Sequence, residues 1–181
     1  RRQGRTDLML MRLAAGSNVA GVFTQNSFAA APVQVCREHL AETNEIRALI
    51  VNAGNANCGT GEAGLEAANR SCALVAARID CAPRNVLPFS TGVILEKLPV
   101  DRIESALPQC FATLTENGWA AAAEAIMTTD TVAKAVSRIV HIEDKRIVVT
   151  GIAKGVGMLQ PNMATMLAFI ATDASIDGPV I

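Results

Sequence analysis

The stretch 151–171, GIAKGVGMLQPNMATMLAFIA, sets a threonine between a glycine-rich segment and an apolar run. Inside a chain, the Thr165 hydroxyl is a poor nucleophile, because no neighbour in sequence is an obvious base. Cutting the Ala164–Thr165 bond changes that. Thr165 then carries an α-amine that titrates near neutrality and can take the hydroxyl proton directly or through water. The hydroxyl can also make the cut itself. It attacks the preceding carbonyl to give an ester, and water opens the ester. Small Ala164 and the restraint of Pro161 suit that attack. Read from its surroundings alone, Thr165 is more simply a threonine that opens a strand and satisfies a backbone group.

Acyl transfer also needs donors for a developing oxyanion. Thr91-Gly92 is a candidate, since it follows a short apolar strand and glycine lets backbone N–H groups come close to a ligand. Its other reading is an ordinary turn. Lys154 stands between glycines, eleven positions before Thr165. Its charge could hold a substrate carboxylate or depress a nearby amine's pKa. Otherwise it is a solvated loop lysine. The spacing is not that of a phosphate-binding P-loop. Thr128, Thr129 and Asp130 could bond a polar substrate or simply end a helix. Asn52–Gly61 could take an anion on its backbone N–H groups, or could be a tight connection.

These residues need elements to position them. Strands are expected at 7–11, 19–24, 46–51 and 86–89, with Pro32 forcing extended backbone into 33–35. Leu65, Ala68, Cys72, Val75, Ala76 and Ile79 share one helical face, with Thr60 as N-cap and Pro83 as the stop. Ile103, Leu107 and Phe111 repeat the spacing, with Asp101 able to cap and Pro108 expected to kink or split the helix. The alanine-rich run Trp119–Met127 reads as helix. Ala135–Ile142 and Arg146–Thr150 read as a hairpin, and Met166–Ile170 as a buried strand. The sum is an α+β domain without repeats or linkers.

Composition narrows the function. Half of the 181 residues are hydrophobic, 3% aromatic and 18% charged, with net charge −1. Ala, Val, Ile, Leu and Met must therefore fill the core. No basic run favours nucleic acid or an anionic membrane. No apolar segment nears the ~20 residues that span a bilayer. RRQGRTDLMLM lacks the cleavage site of a secretory leader, so a cytosolic protein is expected. Five irregularly spaced cysteines make neither a disulfide framework nor a zinc site. Neither histidine sits in the context of a hydrolase triad.

Six blocks taken in order carry a resemblance: GRTDL (4–8), AGVFTQNSFAAAPV (20–33), VNAGNANCGTGEAG (51–64), STGVI (90–94), AIMTTDT (125–131) and GIAKGVGMLQPNMATMLAFIATDA (151–174). Together they resemble the ornithine acetyltransferase family of arginine biosynthesis, also called glutamate N-acetyltransferase. The resemblance implies a precursor that cleaves itself at Ala164–Thr165. It implies Thr165 as nucleophile, Thr91 and Gly92 as oxyanion stabilisers, and Thr128, Lys154 and Thr165 as substrate contacts. It implies a ping-pong transfer of acetyl from N-acetyl-L-ornithine to L-glutamate. Bifunctional members also take acetyl-CoA, and no metal or prosthetic group is expected. The implied fold is a four-layer αββα sandwich, like N-terminal-nucleophile hydrolases in layout but not connectivity. Residues 1–164 would form the alpha chain and 165–181 the start of the beta chain, within one incomplete domain, 1–181. The rest of the beta chain would be a partner, in a heterotetramer of two alpha and two beta chains.

Two other readings use the same residues. A related self-cleaving aminopeptidase or amidase would give the acyl group to water. A non-catalytic α/β module would bind a ligand through the Asn52–Gly61 loop.

Overall fold

The computed structural model describes residues 6–157 and 166–181. Ten main elements follow in order. They are β1 (Leu8–Arg12), α1 (Ala31–Glu42), β2 (Ala48–Asn55), α2 (Gly61–Ile79), β3 (Val86–Val93), α3 (Val100–Ala112), α4 (Trp119–Ala125), β4 (Lys134–Ile142), β5 (Lys145–Lys154) and β6 (Leu167–Thr172). The class is α+β, with two three-stranded sheets ordered β1-β2-β3 and β4-β5-β6. In the first, β1 is antiparallel to β2, and β3 runs parallel to β2 through the crossover helix α2. The second is antiparallel throughout.

Strand periodicity divides the core in two, because successive side chains point to opposite faces. Ala48 and Ile50 of β2, with Val86 of β3, face Ala68, Cys72 and Val75 of α2 and Ile103 and Leu107 of α3. Leu49 and Val51 face the other way with Leu87, onto Ile152 of β5, Phe169 of β6 and Ala123 and Ala125 of α4. Ile152 and Phe169 are direct partners across β5 and β6, and Phe169 meets the Phe89 ring edge-on at 5.0 Å. The layers are thus helices, first sheet, second sheet, an α+β sandwich with three of the four layers of the expected αββα arrangement. Among the described residues the outer face of the second sheet carries no helix, and β4 is exposed along its whole length.

Helix α1 closes the open side of β3. Its buried His39 donates a ring N–H to the Val86 carbonyl at 2.8 Å, and the Cys36 thiol reaches the Pro88 carbonyl at 3.1 Å. Pro88, with no N–H to offer, fits an edge strand. All five cysteines are free thiols; Cys36 and Cys72 are buried core residues, while Cys58, Cys81 and Cys110 are partly buried. Burial pushes the Cys72 thiol up to about 12.

Several expectations are corrected. Residues 19–24 form no strand. Val22 is exposed, and α1 holds the segment through Arg37, whose guanidinium reaches the Thr24 carbonyl and lies over the Phe23 ring. Val33–Val35 are helical, not extended. Extended backbone ends at Ala30, and Pro32 falls in the first turn of α1, where a missing N–H costs nothing. Helix α3 runs unbroken through Pro108. Pro108 and Glu104 are both exposed, so water can take the carbonyl that the proline leaves. Asp101 lies inside the first turn and pairs with Arg70, with Pro99 at the cap position. Thr60 stands at the N-cap of α2, but its hydroxyl donates to Asn57 Oδ1 instead of capping. Strand β2 extends to Asn55, taking the first part of the expected loop. Strand β6 is an edge strand with Phe169 buried and Ile170 80% exposed, not a buried one.

Candidate active site

The apolar gap between the sheets ends in polar residues. Leu87 and Phe89 face the second sheet from β3, and the next side chain of that parity is Thr91. Ile152 faces the first sheet from β5, and the next of that parity is Lys154. Each strand thus carries its inward row one step past the hydrophobic core. Thr128 reaches the same place from the loop after α4, whose Ala125 and Ile126 are core residues.

Lys154 ties these positions together. Its Nζ donates to Thr91 Oγ1 at 3.0 Å and to Thr128 Oγ1 at 2.8 Å, although the two threonines are 37 residues apart in sequence. An ammonium has three N–H donors, so one is left for a further acceptor. Lys154 is only 6% exposed. Burial lowers its pKa from the ordinary lysine value, and Lys134 adds to this while the Asp130 carboxylate opposes it.

Asp130 sits beneath this cluster. Its Oδ1 accepts from Lys134 Nζ at 2.6 Å and from the Gly155 N–H at 2.8 Å, and its Oδ2 from the Thr128 N–H at 3.4 Å. Burial alone would raise its pKa. The Lys134 ammonium and the two backbone N–H groups overcome that and hold it down to about 2.

Gly92 follows Thr91 with φ +137°, a region that favours glycine. A Cβ there would lie 2.2 Å from the Gly54 carbonyl carbon. β2 is irregular at that point, with the register shifting between Gly54 and Asn55. Side chains of β2, β3 and the following loop brace it. Ser90 Oγ donates to Asn52 Oδ1, and Asn52 Nδ2 to the Asn55 carbonyl at 2.8 Å. Asn55 Nδ2 reaches the Glu96 and Lys97 carbonyls, each at 3.1 Å, and Asn57 Nδ2 reaches the Gly64 carbonyl at 2.8 Å. The asparagines of Asn52–Gly61 thus hold neighbouring backbone and loop geometry.

The structure therefore brings together Thr91, Gly92, Thr128 and Lys154. Ala164 and Thr165 lie outside the described residues. Leu167, two positions after Thr165, is the cross-strand partner of Lys154. Sequence reasoning missed the part of Asp130 as a shared acceptor, and that of Lys134. The one available signal was the four-residue spacing from Asp130 to Lys134. Among the described residues no group of three His, Cys, Asp or Glu is placed to hold a metal, and no helix is long and apolar enough to cross a membrane. A cavity of about 750 Å³ lies elsewhere, between β1 and the α3–α4 connection, and none of the four converging residues lines it.

A model of the ArgJ family matches residues 1–181. The arginine biosynthesis bifunctional protein argJ of Bacillus halodurans is 38% identical, with a TM-score of 0.81 over 90% of this chain and 85% of that one. The ornithine acetyltransferase of Mycobacterium tuberculosis, solved in complex with ornithine, is 36% identical. Its TM-score is 0.81 over 89% of this chain and 86% of that one.

Proposed function

Since the chain belongs to the ArgJ family, acetyltransferases that serve arginine biosynthesis, we propose that it moves acetyl from N-acetyl-L-ornithine to L-glutamate. The observation that carries this is the single ammonium of Lys154 held between the hydroxyls of Thr91 and Thr128. Thr165 is the nucleophile, freed by cleavage of Ala164–Thr165. It is two residues of chain from the strand partner of Lys154, a reach of about 7 Å.

In the first half-reaction the Thr165 α-amine takes the hydroxyl proton while Oγ attacks the acetyl carbonyl. Thr91, a hydroxyl already accepting from an ammonium, and Gly92 stabilise the oxyanion. The C–N bond breaks, the proton passes to the leaving nitrogen, and ornithine departs from an acetyl-threonine ester. In the second half the α-amine of glutamate attacks that ester. The C–O bond breaks, Thr165 regains its proton, and N-acetylglutamate leaves. The remaining N–H of Lys154 and the Thr128 side chain hold the polar end of the substrate, a carboxylate for preference. Acetyl-CoA would acylate Thr165 through the same attack, with a thiol leaving. No metal or prosthetic group enters these steps.

The proposal extends to assembly. Residues 1–164 form the alpha chain, 165–181 begin the beta chain, and the two stay together in a cytoplasmic heterotetramer with the remaining beta-chain residues. The test is intact mass and N-terminal sequencing of protein made from the full reading frame, beside Thr165→Ala. Two chains, the second starting Thr165-Met166-Leu167, with an uncut and inactive variant, are expected. A single uncut chain that still transfers acetyl would overturn the terminal-amine mechanism. Ornithine release that glutamate does not accelerate would mean hydrolysis instead.

A further inference from the structure

Asp130 has no task in the acetyl-transfer scheme, yet its side chain is wholly shielded from solvent although it lies in no helix or strand. Two of its three donors are backbone N–H groups of the site itself. One belongs to Thr128 and the other to Gly155, the residue after Lys154. The third is Lys134 at the start of β4. We propose that Asp130 is a positioning residue, which fixes the Thr128 loop against the end of β5 so that Lys154 meets the Thr128 and Thr91 hydroxyls at once. This rests on the acetyl-transfer reading of the site.

The geometry gives the carboxylate a task that a neutral acceptor would do poorly. Thr128 and Lys154 arrive on segments with no backbone pairing to each other, and Asp130 accepts from the Thr128 N–H on one and from the Gly155 N–H on the other. Among the described residues no carboxylate lies within ion-pair distance of Lys154. Asp130, one hydrogen bond removed through Gly155, is the negative charge acting on it, while Lys134 from β4 acts with the opposite sign. Lys134 is itself neutralised by Asp130 at 2.6 Å. One carboxylate therefore offsets two ammonium groups, one at the rim and one buried.

Asp130→Asn separates the two effects from simple filling of space. The side chain keeps its volume, but it loses the charge and one of its two acceptors. Lys134→Met removes the rim partner and leaves Asp130 in place. Both would be made in the full reading frame. Two readouts apply: the pH profile of kcat/KM for acetylornithine, and the titration of the Lys154 ε-carbon followed by NMR with 13C-labelled lysine. Asp130→Asn is expected to lower kcat/KM about a hundredfold. It should also move both the alkaline limb and the Lys154 titration to lower pH, because a negative charge is lost and Lys134 is left unneutralised. Lys134→Met should change kcat/KM by less than about threefold, as expected of a partly exposed pair. A folded Asp130→Asn protein with an unmoved Lys154 titration and near-normal kcat/KM overturns the proposal.

If Asp130→Asn does not fold, Asp130→Glu replaces it. The charge stays and the carboxylate moves by one methylene, so kcat should fall at least about tenfold with the Lys154 titration held. An unchanged kcat sinks the proposal. If wild-type protein transfers no acetyl group, the acetyl-transfer reading fails by itself. The Lys154 titration in the Asp130 variants then decides the role of Asp130 alone, an unmoved value in Asp130→Asn overturning it.

Discussion

Gly92 and Gly54 meet backbone to backbone across β3 and β2, so closely that a Cβ on Gly92 would fall 2.2 Å from the Gly54 carbonyl carbon. The contact sits one residue from Thr91 and fixes how the end of β3 lies. Because the obstacle is backbone, no rotamer change can relieve it. Gly92→Ala is expected to cost at least about 2 kcal/mol in urea unfolding. It should lower acetyl transfer about a hundredfold in whatever remains folded. An alanine variant with wild-type midpoint and rate would show that the close approach is not needed.

Thr91→Val keeps the side-chain shape and deletes the hydroxyl. If Thr91 donates to the oxyanion, kcat falls about 10²–10³-fold while KM for acetylornithine moves little. Steady-state kinetics with a circular-dichroism check of folding decide it. A loss confined to KM would make Thr91 a substrate contact instead.

Asp130 predicts a pH dependence of stability. Its carboxyl is held down to about 2 in the fold, against an ordinary value of 3.8. The unfolded chain takes up that proton first as pH falls. The stability Asp130 contributes is therefore fully present above the ordinary value and is lost as pH drops through the folded one. Urea midpoints measured from pH 5 to about pH 2 should fall more steeply for wild type than for Asp130→Asn. Parallel curves would mean that the carboxyl is not held as described.

His39 is buried and spends its ring N–H on the Val86 carbonyl. His39→Leu leaves that carbonyl without its partner, at a cost of about 1–3 kcal/mol. The loss should appear in equilibrium unfolding. The folded variant should transfer acetyl at the wild-type rate, because His39 bonds Val86, at the opposite end of β3 from the Thr91 that Lys154 meets. A selective loss of activity without loss of stability would contradict that placement.

Helices with a clean apolar face were legible in the sequence. Leu65 to Ile79 and Ile103 to Phe111 pack as their spacing requires, and the 134–154 hairpin forms around its polar turn. Where prolines governed the expectation, it went astray twice. The cost of a proline depends on which carbonyl it strands: Pro32, in a first turn, strands none, and Pro108 strands one on an exposed face. The segment 19–24 has strand-like composition, but Arg37 and the Phe23 ring hold it through side chains no local pattern reveals. In the site, Thr91, Gly92, Thr128 and Lys154 were named from residue type and resemblance. That a lysine between glycines would be buried was not legible from its neighbours, because burial depends on β5 facing β3. Asp130 read as a helix terminator, since nothing near it in sequence shows that Gly155, 25 residues on, is its partner.

The side chains that α1 lays along β3 also decide which way the first sheet can grow. A sheet normally recruits a further strand wherever an edge offers bare carbonyls and N–H groups to it. At β3 the Val86 and Pro88 carbonyls are already taken by an imidazole and a thiol, and position 88 has no N–H to give. An incoming strand there would have to displace a buried helix rather than water. Strand addition to this sheet is thereby turned away from the Val86–Pro88 stretch of β3.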